Sequence, residues 1–154
     1  MTQLDLEKIK QVIEEFFNQA DLAVDLEVKP PQDATVPIIL KTEEPQILIG
    51  ERGQTLIEIQ RLLKSILRKQ IAITTPFYID IDVNDYKKKK IEYLKEIART
   101  TADEVALTKK ETELSPMPPY ERRVVHMALA SRTDVVTESI GQEPQRKVVI
   151  RPYP

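Results

Sequence analysis

Leu6, Ile9, Ile13, Phe16, Phe17 and Ala20 recur at three- and four-residue intervals, which predicts an amphipathic helix over about 5–19. Alternation then takes over: Val24, Leu26 and Val28 share one face of a half-buried strand over 24–29, and Pro30 and Pro31 end it. "VPIILK" (36–41) reads as a second strand, with Pro37 tolerable near a strand start or on an edge. Pro45 introduces a short apolar turn or helix, "QILIG", and a longer helix follows over about 54–69. That helix buries Leu56, Ile59, Leu63, Ile66 and Leu67, leaving Arg61, Lys64 and Arg68 close together on another face. "FYIDIDV" (77–83) is a strand with Phe77, Ile79, Ile81 and Val83 inward and Tyr78, Asp80 and Asp82 outward. The first unit is therefore helix–strand–strand–helix–helix–strand.

In the second half, "NDYKKKK" opens a long helix whose inner stripe is Ile91, Leu94, Ala98, Thr101 and Val105, with Asn84 or Asp85 as its cap. A further helix starts near Pro119, where proline suits the first turn. "DVVTES" and "RKVVIR" form two strands around a Gly141/Pro144 turn. The boundary between the halves is expected at about 84–86, giving domains 1–84 and 85–154. No internal repeat or low-complexity linker is visible. The class is α+β.

A chain of 154 residues, 41% hydrophobic and 31% charged, has the composition of a folded protein with a real core. No run approaches the roughly 20 apolar residues that span a bilayer, and membrane insertion is not expected. The N-terminus has no basic start or apolar segment of a signal peptide, so a cytoplasmic address is expected. With no cysteine there is no disulfide frame, thiolate nucleophile or cysteine zinc site. The net charge of −2 hides an asymmetry: residues 1–45 carry four Lys/Arg against ten Asp/Glu, and the remainder nineteen against fifteen. A partner that prefers positive surface should meet the later part of the chain.

Two of the three glycines, Gly50 and Gly53, flank Glu51 and Arg52. A Walker loop would need Lys and Ser/Thr after the second glycine, but Gln54 and Thr55 stand there. A dinucleotide fingerprint would need a third glycine at its own spacing. A bare G-x-x-G can be a plain turn between helices. Here two apolar helical segments flank it, its glycines let backbone approach a ligand, and a helix N-terminus opens beside an anion's position. This is how a KH module clamps about four nucleotides of single-stranded backbone. The element order resembles the type II KH arrangement. Acidic replacement of both glycines is expected to block the clamp while leaving the fold intact.

"GERGQTLIEIQRLL", "IDIDVNDYKKKK", "YERRVVHMAL" and "VVTESIGQEPQRKVVI" occur in that order, and together they resemble the Jag, or SpoIIIJ-associated, family over about residues 20–154. Members join a KH domain to an α/β domain with a small antiparallel sheet, named for an Arg and a His separated by three residues. Arg122 and His126 match that motif. The resemblance implies binding of RNA or other single-stranded nucleic acid without catalysis, cofactor or metal. It further implies post-transcriptional or cell-envelope-linked roles, and a second small KH protein as a candidate partner. Members often carry an extra N-terminal Jag domain, and no counterpart is expected here. Two positions depart from the pattern. Glu51 stands where members usually have Lys or Arg, leaving Arg52 as the loop's cation and implying a weak KH site. Pro118 stands where relatives tend to have a capping Asn or Ser.

The residues of the second half agree with this reading. Arg122 and His126 lie one helical turn apart and can reach one phosphate or base. Arg offers a forked, permanent donor, and His a titratable one whose contact should strengthen near pH ~6. Tyr120 and Arg123 at the same helix end, with Arg146, Lys147 and Arg151 on the last strand, are expected to form a positive surface. The alternative is a His126 packed under the sheet. The nucleic-acid site is thus expected at Gly50, Glu51, Arg52, Gly53, Gln54, Arg61, Lys64, Arg122, Arg123, His126, Arg146 and Lys147. Lys87–Lys90 spread around their helix, so only Lys87 and Lys90, near Tyr86, could share one contact. The rival classes are a protein–protein scaffold and a nuclease holding Mg²⁺ at Asp80, Asp82 and Asp85.

Overall fold

Ile9, Ile13 and Phe17 are fully buried on the first helix, α1 (Gln3–Gln19). In the computed structural model, which describes residues 1–72 and 76–154, α1 starts three residues before Leu6, where the apolar pattern begins. The reason is a capping box: Asp5 N–H donates to Thr2 Oγ1 at 3.2 Å and Thr2 N–H donates to Asp5 Oδ2 at 2.8 Å. The chain divides into two compact units, Met1–Lys87 and Lys88–Pro154.

In the first unit, β1 (Asp25–Val28) runs antiparallel to β2 (Thr35–Lys41), which runs parallel to β3 (Tyr78–Val83). The β2–β3 crossover contains α2 (Pro45–Ile49), a single 3-10 turn (Glu51–Gly53) and α3 (Gln54–Gln70). Pro37 sits inside β2 opposite Asp80. It lies near the start of this central strand, where its carbonyl accepts from Lys29 N–H at 2.9 Å but proline cannot donate in return. The expected inward set of β3, Phe77, Ile79, Ile81 and Val83, joins α1, β2 and α3 in one core. Ile66, expected inside, is only half-buried.

β3 is an edge strand, and α3 covers its open side: Gln60 Oε1 accepts from Ile81 N–H at 3.0 Å. At the end of β3, Asn84 does not cap the next helix. Its side chain closes on the Thr42 backbone instead, donating to the carbonyl at 2.8 Å and accepting from the N–H at 3.0 Å. Asp82 accepts the Lys87 N–H at 3.2 Å in the first turn of α4 (Tyr86–Thr108).

In the second unit, β4 (Thr112–Glu113), α5 (Pro119–Leu129), β5 (Val135–Ile140) and β6 (Lys147–Pro152) follow α4. The sheet order is β4-β6-β5, antiparallel throughout. β4 is two residues long, too short for any periodic signal. Leu94, Ala98, Ala102 and Val105 form the buried stripe of α4, so Ala102 takes the place expected of Thr101. They pack with Val125 and Leu129 of α5 and with Val135, Val148 and Ile150 of the sheet. α5 starts where Pro119 predicts, with Pro118 as an extended N-cap that makes no side-chain bond. The Pro118 carbonyl accepts from Arg122 N–H at 3.1 Å, which closes the first turn without a capping Asn or Ser.

Candidate nucleic-acid interface

The glycine loop depends on backbone angles that few residues adopt. Gly50 has φ 70° and ψ −171°, a combination open essentially to glycine alone. A Cβ there would lie 2.0 Å from Thr55 Oγ1 and 2.6 Å from Thr55 Cβ. Arg52 (φ 55°, ψ 25°) and Gly53 (φ 78°, ψ 9°) are both left-handed. Gly53 also meets the ring of Tyr86, whose hydroxyl would lie 3.1 Å from an added Cβ. The expectation that acidic residues at both glycines would leave the fold intact is therefore corrected. Position 53 can take a short side chain if Tyr86 yields slightly, but position 50 cannot without moving Thr55.

The buried hydrophobic neighbours Leu48 and Ile49 hold the start of the loop, and Leu56 holds its end. Between them Glu51, Arg52 and Gln54 face solvent. No side chain caps α3 among the described residues, so its first N–H groups open beside the loop. Gln54 Nε2 donates to Glu58 Oε1 at 2.8 Å, and Glu58 in turn lies 3.8 Å from Arg61. The loop thus brings together one carboxylate and one guanidinium, and the next turn repeats that balance. Arg61, Lys64 and Arg68 do not act as a cluster. Lys64 leans over the Tyr78 ring at 4.6 Å while Arg61 turns to Glu58.

Lys87, one of the two lysines of the run that could share a contact, pairs with Asp80 across the end of β3. Asp82 is engaged by the Val83 and Lys87 N–H groups. These two carboxylates of the metal reading are thus held by protein donors, and no metal-competent cluster of His, Asp and Glu occurs among the described residues. Lys90 lies over its own neighbour Tyr93, 5.7 Å from the ring.

Arg122 is only 8% exposed. Its Nη1 donates to the Met117 carbonyl at 2.8 Å, and its Nη2 lies 2.7 Å from the Glu143 carboxylate. One edge of the guanidinium thus ties the segment before α5, and the other ties the turn between β5 and β6. His126 lies between helix and sheet, with Nδ1 2.7 Å from Thr137 Oγ1 and Nε2 2.8 Å from Ser139 Oγ. Because a hydroxyl can donate or accept, either imidazole tautomer is satisfied. Burial, and secondarily the Arg122 charge, holds the His126 pKa below its ordinary value. The ring therefore stays neutral to lower pH than an exposed imidazole would, and the expected strengthening of a charged contact near pH ~6 is corrected.

The positive surface expected from the last strand does not form. Arg151 pairs with Glu111 and Glu138, and Lys147 with Glu113. Arg146 Nη1 donates to the Gly141 carbonyl at 2.7 Å. Cross-strand register is the cause: Glu138 stands opposite Val149, Arg151 opposite Val136, and Glu113 opposite Val149 from the other side. Arg123 remains exposed, with no ion pair or hydrogen bond among the described residues. Sequence reasoning missed Thr137, Ser139 and Glu143. Thr137 and Ser139 had a signal, since alternation puts them on the helix-facing side of β5 with Val135. Glu143 had none, because it lies in an irregular turn.

Comparison with protein families matches residues 8–90 to the KH domain and residues 92–152 to the Arg-three-His (R-x-x-x-H) domain. Among curated proteins, the chain is similar to the "RNA-binding protein KhpB" of Clostridium symbiosum, 35% identical over 145 residues (94% of this chain, 64% of that protein). The proteins of the same name from Lactiplantibacillus plantarum and Bacillus subtilis are each 33% identical. They align over 90% and 75% of this chain, and over 41% and 56% of their own lengths. The chain therefore spans between about two fifths and two thirds of the length of these relatives. With its α+β fold, its G-x-x-G turn between α2 and α3, and its Arg122/His126 pair on α5, the chain belongs to the Jag family, a KH domain followed by an Arg-three-His domain.

Proposed function

We propose that this chain binds single-stranded RNA, with single-stranded DNA as the chemically related ligand, and catalyses no reaction. The observation that carries the reading is the Gly50–Gly53 loop. Its backbone is fixed in glycine-dependent angles, its two central side chains face solvent, and α3 opens beside it uncapped. Backbone N–H groups at a helix start suit a phosphate, and the bare glycines let the strand come close. Similarity to proteins named as RNA-binding over most of the chain supports the same ligand.

In this reading Gly50, Arg52, Gly53 and Gln54 receive backbone, with Arg61 and Lys64 along the flank of α3. Glu51 weakens the site by placing a carboxylate beside phosphate. In the second domain Arg122, Arg123 and His126 supply contacts, Arg122 only by exchanging the Glu143 carboxylate for a phosphate. Arg146 and Lys147 would likewise have to leave present partners. Among the described residues no helix is long and apolar enough to cross a membrane, and an RNA ligand suits a cytoplasmic address. A second small KH protein is the protein partner to test, by co-purification with the full chain. Fluorescence anisotropy with a short single-stranded RNA across a salt series tests the reading. Binding whose log K falls with log salt is the expected result.

A further inference from the structure

The outward stripe of α5 is used by nothing within its own unit. Tyr120, Arg123 and Met127 stand at i, i+3 and i+7 and so share one helix face about 10 Å long. Tyr120 is 63% and Met127 67% exposed. Ala130 continues this face, and Glu121, the nearest carboxylate in sequence, lies about 100° around the helix from Tyr120 and off the stripe. Arg123 is its one charge. From Arg122 to the C-terminus, Arg122, Arg132, Lys147 and Arg151 are ion-paired and Arg146 is bound to carbonyls. Arg123 alone among those basic side chains has no ion pair or hydrogen bond among the described residues.

We propose that this stripe is a stacking platform for unpaired bases of single-stranded RNA. Tyr120 and Met127 receive base faces, and the Arg123 guanidinium lies between them against a base or phosphate. The inference rests on the RNA-binding reading and names the part of the RNA that the second domain takes. Chemistry favours bases over a protein surface. A cation with no ion pair among the described residues complements a polyanion, an aromatic face stacks on any base, and a thioether is polarizable enough to pack on a π-system. The cations that would otherwise clamp phosphate are neutralised, so binding on this side depends on stacking more than on charge.

The test uses the full chain carrying Arg52→Glu, which lowers the KH contribution. Its affinity is measured for a short single-stranded RNA and for an abasic strand of equal length. Tyr120→Ala should weaken the RNA by about five- to tenfold, within the range of one base–aromatic stack, and leave the abasic strand unaffected. Tyr120→Phe should restore binding, and Arg123→Ala should weaken both strands. Because both side chains are exposed, the melting temperature should not move. An unchanged RNA affinity for Tyr120→Ala overturns the platform while the RNA-binding reading stands. An equal loss on both strands overturns it too, since that is a loss of charge or fold. If the unsubstituted chain binds no single-stranded RNA at low salt, the RNA-binding reading itself falls and the platform with it.

Discussion

Arg122 Nη2 lies 2.7 Å from the carboxylate of Glu143, a pair with one buried and one half-exposed member. The exposed carboxylate occupies the outward edge of a guanidinium whose other edge is tied to the Met117 carbonyl. Any phosphate that reaches Arg122 must replace it. Glu143→Gln should therefore tighten RNA binding several-fold at low salt, since a neutral amide leaves the guanidinium charge uncompensated. Unchanged affinity in anisotropy would show that Arg122 only pins the turn.

Arg122→Ala should lower stability by about 2–3 kcal/mol, the usual scale for deleting a buried charged donor and leaving its acceptors unpaired. Urea denaturation measures this. The loss makes Arg122→Ala a poor probe of RNA contact unless affinity is read well below its melting temperature. A stability within about 0.5 kcal/mol of the unsubstituted chain would contradict the structural role.

His126 links stability to pH. Its folded pKa lies below the ordinary 6.5, through burial first and the Arg122 charge second. As pH falls, the unfolded chain takes up this proton first. The contribution is complete above pH ~6.5 and is lost as pH falls through that value toward the folded pKa. Thermal melts of the full chain between pH ~7.5 and ~5.5 should show this decline, and His126→Gln should flatten it. An identical slope in both proteins would remove His126 as the cause.

The two loop glycines should respond unequally. Gly50→Ala meets Thr55 in a glycine-only backbone region and should cost about 1–3 kcal/mol or more. Gly53→Asn keeps a left-handed residue where Asn is tolerated and should cost less, with Tyr86 shifting by a few tenths of an ångström. Equal melting temperatures for the two variants would contradict the loop geometry.

Glu51 is exposed and takes no part in the core, so its charge can be reversed without touching the fold. Glu51→Lys should tighten RNA binding by roughly 1 kcal/mol and steepen the salt slope by somewhat under one unit. Constancy of both would mean that position 51 points away from the nucleic acid.

The fold was legible wherever burial imposed a period. Ile9, Ile13 and Phe17 on α1, and Ile79, Ile81 and Val83 on β3, advertise their elements because each has one face in a core. Two-residue β4 and the exchange of Thr101 for Ala102 escaped, since a short pairing and a one-step rotation leave no pattern. The motifs of the two domains were legible, but the ion pairs around the candidate site were not. Register decides that Arg151 and Lys147 meet carboxylates, and tertiary closure of an irregular turn brings Glu143 to Arg122. Counting cations along a strand cannot see either event.

Ultraviolet crosslinking of the full chain to a short single-stranded RNA, followed by peptide mapping, locates any RNA contact on the two domains. Salt-sensitive crosslinks are expected in the segments around residues 50–54 and 119–127. Crosslinks confined to the outer faces of the two sheets, or none at low salt, would contradict this expectation.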